Sequence, residues 1–145
     1  MMISTKGRYA LRVLIDLAQN GQAQCVSLRD VAQRQQISVK YLEAVIAILN
    51  RSGLVISHMG KNGGYQLARQ PEQYRIGEIL RITEGDIAPV SCLECGDNTC
   101  DRAADCTTLP MWMELKRIIS DYLDNMTLKD LIEGNVTQKN SYLHG

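Results

Sequence analysis

Apolar residues recur with a helical period at the start of the chain. Ala10, Val13, Leu14 and Leu17 follow i, i+3, i+4, i+7 and share one face, which predicts a helix over about 6–20. Ser4 or Thr5 can cap its amino end, and Gly21 can end it. Ser27 opens a short helix over about 28–34, because its hydroxyl can accept from the Asp30 amide. After a turn at Gln36 and Ile37, Ser38 caps a third helix over about 39–51. Leu42, Val45, Ile46 and Leu49 make its buried stripe, and the opposite face carries Lys40, Glu43, Ala44, Ala47 and Asn50. Polar tips over small residues give that face a shape able to enter a groove closely.

The period then changes. Leu54-Val55-Ile56-Ser57-His58 and Tyr65-Gln66-Leu67 flank Gly60, Gly63 and Gly64, the pattern of a two-stranded hairpin with a flexible tip. Pro71 closes this unit, and a short helix over about 76–84 follows. Residues 85–108 show no regular period. Thr108 and Pro110 begin a long helix to about 126, in which Trp112, Leu115, Ile119, Tyr122 and Met126 recur at 3,4,3,4 spacing, with Ile118 and Leu123 beside them. Thr127 caps a last short helix through Glu133, and 135–145 is a polar tail expected to be disordered. No internal repeat is present.

The order helix, short helix, tight turn, helix, hairpin is that of a winged helix-turn-helix, whose second motif helix lies in the major groove. The expected fold class is therefore mostly α with a small β-hairpin: a winged helix-turn-helix followed by a long dimerisation helix. The expected division is a DNA-binding unit at 1–75 (helix-turn-helix about 28–51, wing about 55–68), a cysteine loop with the dimerisation helix at 76–134, and the tail at 135–145. A domain this small has little left to bury the seam of the long helix, so the expected cover is a second copy, and two-fold symmetry implies a near-palindromic operator.

Charge sharpens this picture. The chain has 145 residues and no net charge, but residues 1–75 hold ten Lys/Arg against four Asp/Glu, a net +6, and residues 76–145 hold a net −6. A positive half favours phosphate and a negative half avoids it. Lys40 and Glu43 are expected at base edges, since Glu can accept from a cytosine amine. Lys6, Arg8, Tyr41, Arg51 and Lys61 are expected near phosphates, and the wing glycines allow close backbone approach. Tyr9, Ser38, Gly60 and Tyr65 complete the expected DNA-binding set.

Four cysteines lie within fifteen residues of the negative half: Cys92, Cys95, Cys100 and Cys106. Thiols so close together hold a metal or cluster, or exchange electrons, more often than they pack a core. Nothing resembles a secretory signal, and Arg12 and Asp16 break the apolar run at 10–18. A cytoplasmic location is expected, so the thiols should be reduced or metal-bound rather than joined in structural disulfides. Four thiolates suit an iron–sulfur cluster or tetrahedral zinc, and spacing alone does not choose between them or a thiol switch. Glu94, Asp97, Asp101 and Asp105 line the same stretch, and Cys25 stands alone before the second helix. A thiol–disulfide oxidoreductase would normally place its Cys-x-x-Cys beside a βαβ pattern, which is lacking. No Ser/His/Asp arrangement or phosphate-binding loop is present. The chain is not expected to be an enzyme, and neither a membrane partner nor a small-molecule substrate is expected.

Several stretches together resemble the Rrf2 family of transcriptional regulators: Ser4-Thr5-Lys6-Gly7-Arg8-Tyr9-Ala10, Ile37-Ser38 with Tyr41-Leu42-Glu43, Gly53-Leu54-Val55, Gly63-Gly64-Tyr65, the cysteine segment, Trp112, and Thr127-Leu128-Lys129-Asp130-Leu131. The resemblance covers roughly residues 1–133. It implies a homodimer formed through the long helix and a 2Fe-2S cluster held by three cysteines, which fall here on Cys92, Cys100 and Cys106. It also implies a sensor of iron–sulfur status, redox or nitric oxide, or a regulator of cysteine metabolism. The chain departs from the family's cluster-binding members at their fourth ligand. A histidine three residues beyond the last cysteine is here Leu109, and an N-terminal acid is here Arg8. Cys95 is the candidate fourth ligand, with a nearby Asp next and zinc as the lesser occupant. The wing reads Met59-Gly60 where such members have arginine before glycine, and Lys61 can substitute.

Overall fold

The structure is a computed structural model. It describes residues 3–96, 102 and 104–136, with the backbone alone for residues 95 and 96. Cys100, Asp97, Asp101 and most of the polar tail lie outside the described residues, as does the side chain of Cys95. The elements run α1 (Thr5–Asn20), α2 (Leu28–Gln35), α3 (Val39–Arg51), β1 (Val55–His58), β2 (Gly64–Leu67), α4 (Ile76–Glu84), α5 (Leu109–Asn125) and α6 (Leu128–Glu133). Two 3-10 turns, Pro71–Gln73 and Ser91–Gly96, were not evident from the periodicity. The strands pair antiparallel with Val55 opposite Leu67 and His58 opposite Gly64.

Local chemistry sets the boundaries. Ser4, Ser27, Ser38 and Thr127 stand at the N-caps of α1, α2, α3 and α6, each accepting from a backbone amide three residues on. Thr127 and Asp130 form a reciprocal box, with Asp130 accepting from the Thr127 amide at 2.9 Å. Gln36 ends α2 in the left-handed region, φ 55°, and turns the chain into α3.

One core joins these elements. Ala10, Val13, Leu14 and Leu17 of α1 meet Leu42, Val45, Ile46 and Leu49 of α3, and Ile76, Ile79 and Leu80 of α4 lie in the same cluster. All four residues expected on the buried face of α1, and all four on that of α3, are buried. Burying a Leu, Ile or Val is worth about 1.5–3 kcal/mol each.

Polar groups fix the angles between elements. Asp16 is 1 % exposed yet ionisable. It accepts from Arg34 at 3.0 and 2.7 Å and from Gln35 at 2.9 Å, clamping α2 to α1. The Arg34 guanidinium is held above its ordinary value chiefly by that hydrogen bond. Arg12 adds bonds to the side chain and carbonyl of Gln35. At the base of the hairpin the buried Tyr74 hydroxyl donates to the Leu54 carbonyl (2.5 Å) and accepts from the amides of Ala68 (2.9 Å) and Arg69 (3.2 Å). The hairpin is also stitched to the loop before α2: Val26 and Tyr65 exchange both backbone hydrogen bonds, at 3.0 and 2.9 Å. Gly64 makes that approach feasible, since a Cβ there would stand 2.4 Å from the Val26 carbonyl oxygen.

Candidate nucleic-acid interface and cysteine segment

The expected reading face of α3 is exposed. Lys40, Glu43, Ala44, Ala47 and Asn50 all face solvent, while the other side of the helix is buried. Val39, in the first turn, is 42 % exposed and was not among the expected residues. An apolar side chain at the leading end of such a helix suits a thymine methyl, and its exposure is the signal that finds it. Ser38 serves as the cap of α3, accepting from the Tyr41 amide at 3.2 Å.

Two aromatic rings bring α1 alongside α3. Tyr9 meets Tyr41 edge-on, with centroids 5.3 Å apart and planes at 84°. The Arg12 guanidinium stands over Tyr9, 5.2 Å from its centroid. This places the first turn of α1, with Lys6 and Arg8 exposed, on the same flank as the start of α3. The Arg8 guanidinium donates only to Thr5 within the chain (3.3 Å) among the described residues, leaving a face for phosphate. Arg51 is exposed at the far end of α3, and Gly60 and Lys61 are exposed at the wing tip. Tyr65 differs from the rest: it is half-buried against the core, and its main chain anchors the hairpin to Val26.

The first turn of α1 is held from an unexpected direction. Glu84, the last residue of α4, accepts through Oε1 from the Ser4 amide (3.1 Å), the Ser4 hydroxyl (2.6 Å) and the Gly7 amide (3.1 Å). No local pattern announces a contact across about eighty residues. The only hint is Gly7 inside a helix, where a Cβ would lie 2.3 Å from that oxygen.

Cys92 sits in the 3-10 turn Ser91–Gly96, and Cys106 lies three residues before α5. Both are free thiols and partly exposed, as is Cys25. The Cys106 sulfur lies 3.5 Å from the Thr108 hydroxyl. That hydrogen bond, followed by the Thr108 backbone amide, pushes the Cys106 thiol below its ordinary value. Among the described residues no group of three or more Cys, His, Asp or Glu side chains converges as a metal site. The turn is tied to the long helix by Lys116, which donates to the Leu93 carbonyl at 2.6 Å.

The long helix α5 carries two apolar faces, which the period had merged into one seam. Ile119, Tyr122 and Leu123 pack against the chain's own core. Met126 is 2 % exposed, enclosed in that core rather than aligned along a free seam. Its carbonyl accepts from the Ile76 amide at 2.9 Å, which draws this end of α5 inward. Outward stand Met111 (54 % exposed), Leu115 (37 %) and Ile118 (38 %), spaced i, i+4, i+7, with Trp112 half-buried beside them. Arg81 of α4 grips Asp124 of α5 at 2.5 and 3.1 Å. No helix of the described residues is long and apolar enough to cross a membrane.

The comparisons agree with this geometry. The Rrf2 family pattern, described as an iron-dependent transcriptional regulator, matches residues 3–134. The chain is 40% identical over 142 residues to the protein Rrf2 of Nitratidesulfovibrio vulgaris, covering 97% of this chain and 94% of that one. Among solved structures it is similar to CymR of B. subtilis, the global cysteine regulator, with a TM-score of 0.76 and 36% identity, covering 92% of this chain and 97% of that one. It is similar also to the T. potens IscR, with a TM-score of 0.74 and 34% identity, covering 100% of this chain and 97% of that one. A mostly helical fold with a two-stranded hairpin, an exposed polar face on α3, and a match over nearly its whole length establish that this chain belongs to the Rrf2 family of transcriptional regulators.

Proposed function

We propose that the chain works as a homodimer on a near-palindromic duplex site, and that the chemical state of Cys92, Cys100 and Cys106 sets its grip on DNA. The observation that carries the DNA part is the exposed α3 face, Lys40 to Asn50, standing beside Lys6 and Arg8. Lys40 and Glu43 read base edges, Val39 meets a thymine methyl, and Lys6, Arg8, Tyr41, Arg51 and Lys61 meet the backbone. The outward stripe Met111, Leu115 and Ile118, with Trp112, is the surface a second copy covers.

The donor chemistry fits an iron–sulfur cluster. Cys92 and Cys106 are uncrosslinked and accessible, and the Thr108 hydroxyl favours the Cys106 thiolate, the form that ligates iron. Cys92, Cys100 and Cys106 would hold a 2Fe-2S cluster, with Cys95 as the fourth ligand. When bound, such a cluster supplies a group whose charge changes with one electron and which oxidants can remove. Zinc accepts the same thiolates but brings no redox change. A second reading has support in the similarity to the B. subtilis cysteine regulator. In that reading the DNA head is the same, no cluster is held, and the thiols or a partner protein carry the signal.

The test is anaerobic purification with iron, sulfide and the visible spectrum measured, beside the C92A/C100A/C106A variant. A chromophore lost in the variant supports the cluster. A colourless protein that reconstitution leaves unchanged refutes the cluster and leaves the second reading.

A further inference from the structure

Between the cysteine turn and the DNA-contacting head the described chain passes through one short strap. It leaves α4 at Glu84, turns at Gly85 (φ 84°), and reaches Ser91 and Cys92. Asp86 accepts from the Ala88 amide at 2.7 Å, and Ile87 and Ala88 are buried, so the strap is pinned rather than loose. Ile3, at the other end of the chain, lines the same small cavity of about 380 Å³ as Glu84, Ile87, Ser91 and Glu94. The start of α1 and the root of the cysteine turn therefore share one wall.

Glu84 closes that wall. Its single oxygen Oε1 takes three donors from Ser4 and Gly7, so the pitch of the first α1 turn follows the position of the α4 end. Lys6 and Arg8 ride on that turn, and Tyr9, one residue on, abuts Tyr41 of α3. A charged acceptor shared by three donors is sensitive to displacement, because hydrogen bonds weaken steeply with misalignment.

We infer that Glu84 is a positioning residue that transmits the state of the cysteine segment to the DNA-contacting turn of α1 by holding Ser4 and Gly7. The inference rests on the reading in which the cysteines control DNA affinity. It adds the group through which that control passes. Coupling of this kind is a free energy shared between two sites, so it is measured as a ratio of affinities and not as an affinity.

The experiment uses the full chain in three forms: reduced and metal-free, anaerobically reconstituted with iron and sulfide, and treated with a thiol oxidant. Affinity for a labelled duplex selected from a random-sequence pool by its binding to the wild-type chain is measured for each form of wild type, E84Q and G7A, with amide exchange at Gly7 followed in the metal-free form. E84Q keeps the size of the side chain and weakens the acceptor. G7A keeps the helix and forces a Cβ onto the carboxylate. The expected result is faster Gly7 exchange in both variants and an affinity ratio between forms that falls to within about twofold of unity. A residue that only stabilises the fold would weaken all forms alike and leave the ratio intact. That outcome overturns the role of Glu84 while the cysteine reading stands. If wild type itself shows no ratio between any two forms, the cysteine reading fails and takes the transmission role with it.

Discussion

Removing Arg34 gives the sharpest test of how the helix-turn-helix is held. Asp16 is 1 % exposed and accepts from Nε and Nη2 of Arg34, at 3.0 and 2.7 Å. In R34M the carboxylate remains buried, and among the described residues the Gln35 amide (2.9 Å) is its one remaining side-chain partner. Breaking a buried pair from one side costs about 3–5 kcal/mol. Arg34 is itself 39 % exposed, so water can replace part of what is lost. A loss of about 3 kcal/mol is expected, at the low end of that range. For a chain of this size it corresponds to a fall in Tm of about 9 °C. In the double variant D16L/R34M the charge and its partner are both gone, and stability should return to within about 1 kcal/mol of wild type. Thermal unfolding followed by circular dichroism at neutral pH measures wild type, R34M, D16L and the double variant, the four corners of the cycle. A shift below about 2 °C for R34M would show that the clamp is an ordinary surface pair worth at most about 1 kcal/mol, and a double variant no more stable than R34M would show that the loss does not come from stranding the Asp16 charge.

Three further outcomes follow from other contacts. Y74F leaves the Leu54 carbonyl and the Ala68 and Arg69 amides without the buried hydroxyl, costing about 2 kcal/mol by chemical denaturation. Burial pushes the Tyr74 phenol up, so the unfolded chain releases its proton first; this part of the stability is intact below about pH 10, falls as pH rises beyond it, and is absent from Y74F. R8A should weaken binding to all duplexes alike and lower the slope of log K against log salt by about 1, whereas K40A should change the preference among operator variants, both read by fluorescence anisotropy. L115E/I118E places charge on the outward stripe of α5 and should turn a dimer into a monomer in sedimentation; the helical circular-dichroism spectrum should be kept, because both side chains are exposed in the single chain, while Tm should fall and lose its dependence on protein concentration.

Local chemistry was legible in the sequence, and distant chemistry was not. A serine or threonine cap announces itself when its hydroxyl serves an amide three residues away: Ser27, Ser38 and Thr127 stand where they were expected, Ser4 is the one of its two candidates that caps α1, and Thr108 stands at the N-cap of α5 without a side-chain cap bond. The buried faces of α1 and α3 follow from period alone. The seam of α5 shows the limit of period. Met126 and Leu115 share a heptad register, yet Met126, with Ile119 and Tyr122, packs into the chain's own core, while Leu115 stands outward. Asp16 left a trace, since a lone acid in an apolar run needs a partner, but nothing nearby identified Arg34. Glu84 left only the glycine inside α1, and Tyr74 left no trace. Ser4 and Gly7 lie about eighty residues from Glu84; two of the Tyr74 partners, Ala68 and Arg69, are close in sequence, but a tyrosine after a proline turn is ordinary by itself. Of the candidate cluster ligands, Cys92 and Cys106 are accessible thiols on either side of the segment, and Cys100 lies outside the described residues.

The most direct measurement is a pair of anaerobic titrations of one labelled duplex, selected from a random-sequence pool by its binding to the chain, with protein loaded with iron and sulfide and with the same protein stripped by chelation under reducing conditions. Binding should weaken steeply with salt in both forms, and the affinities should differ by about fivefold or more between them. Equal affinities across the salt range, with the cofactor shown to be present in one sample and absent from the other, would contradict it.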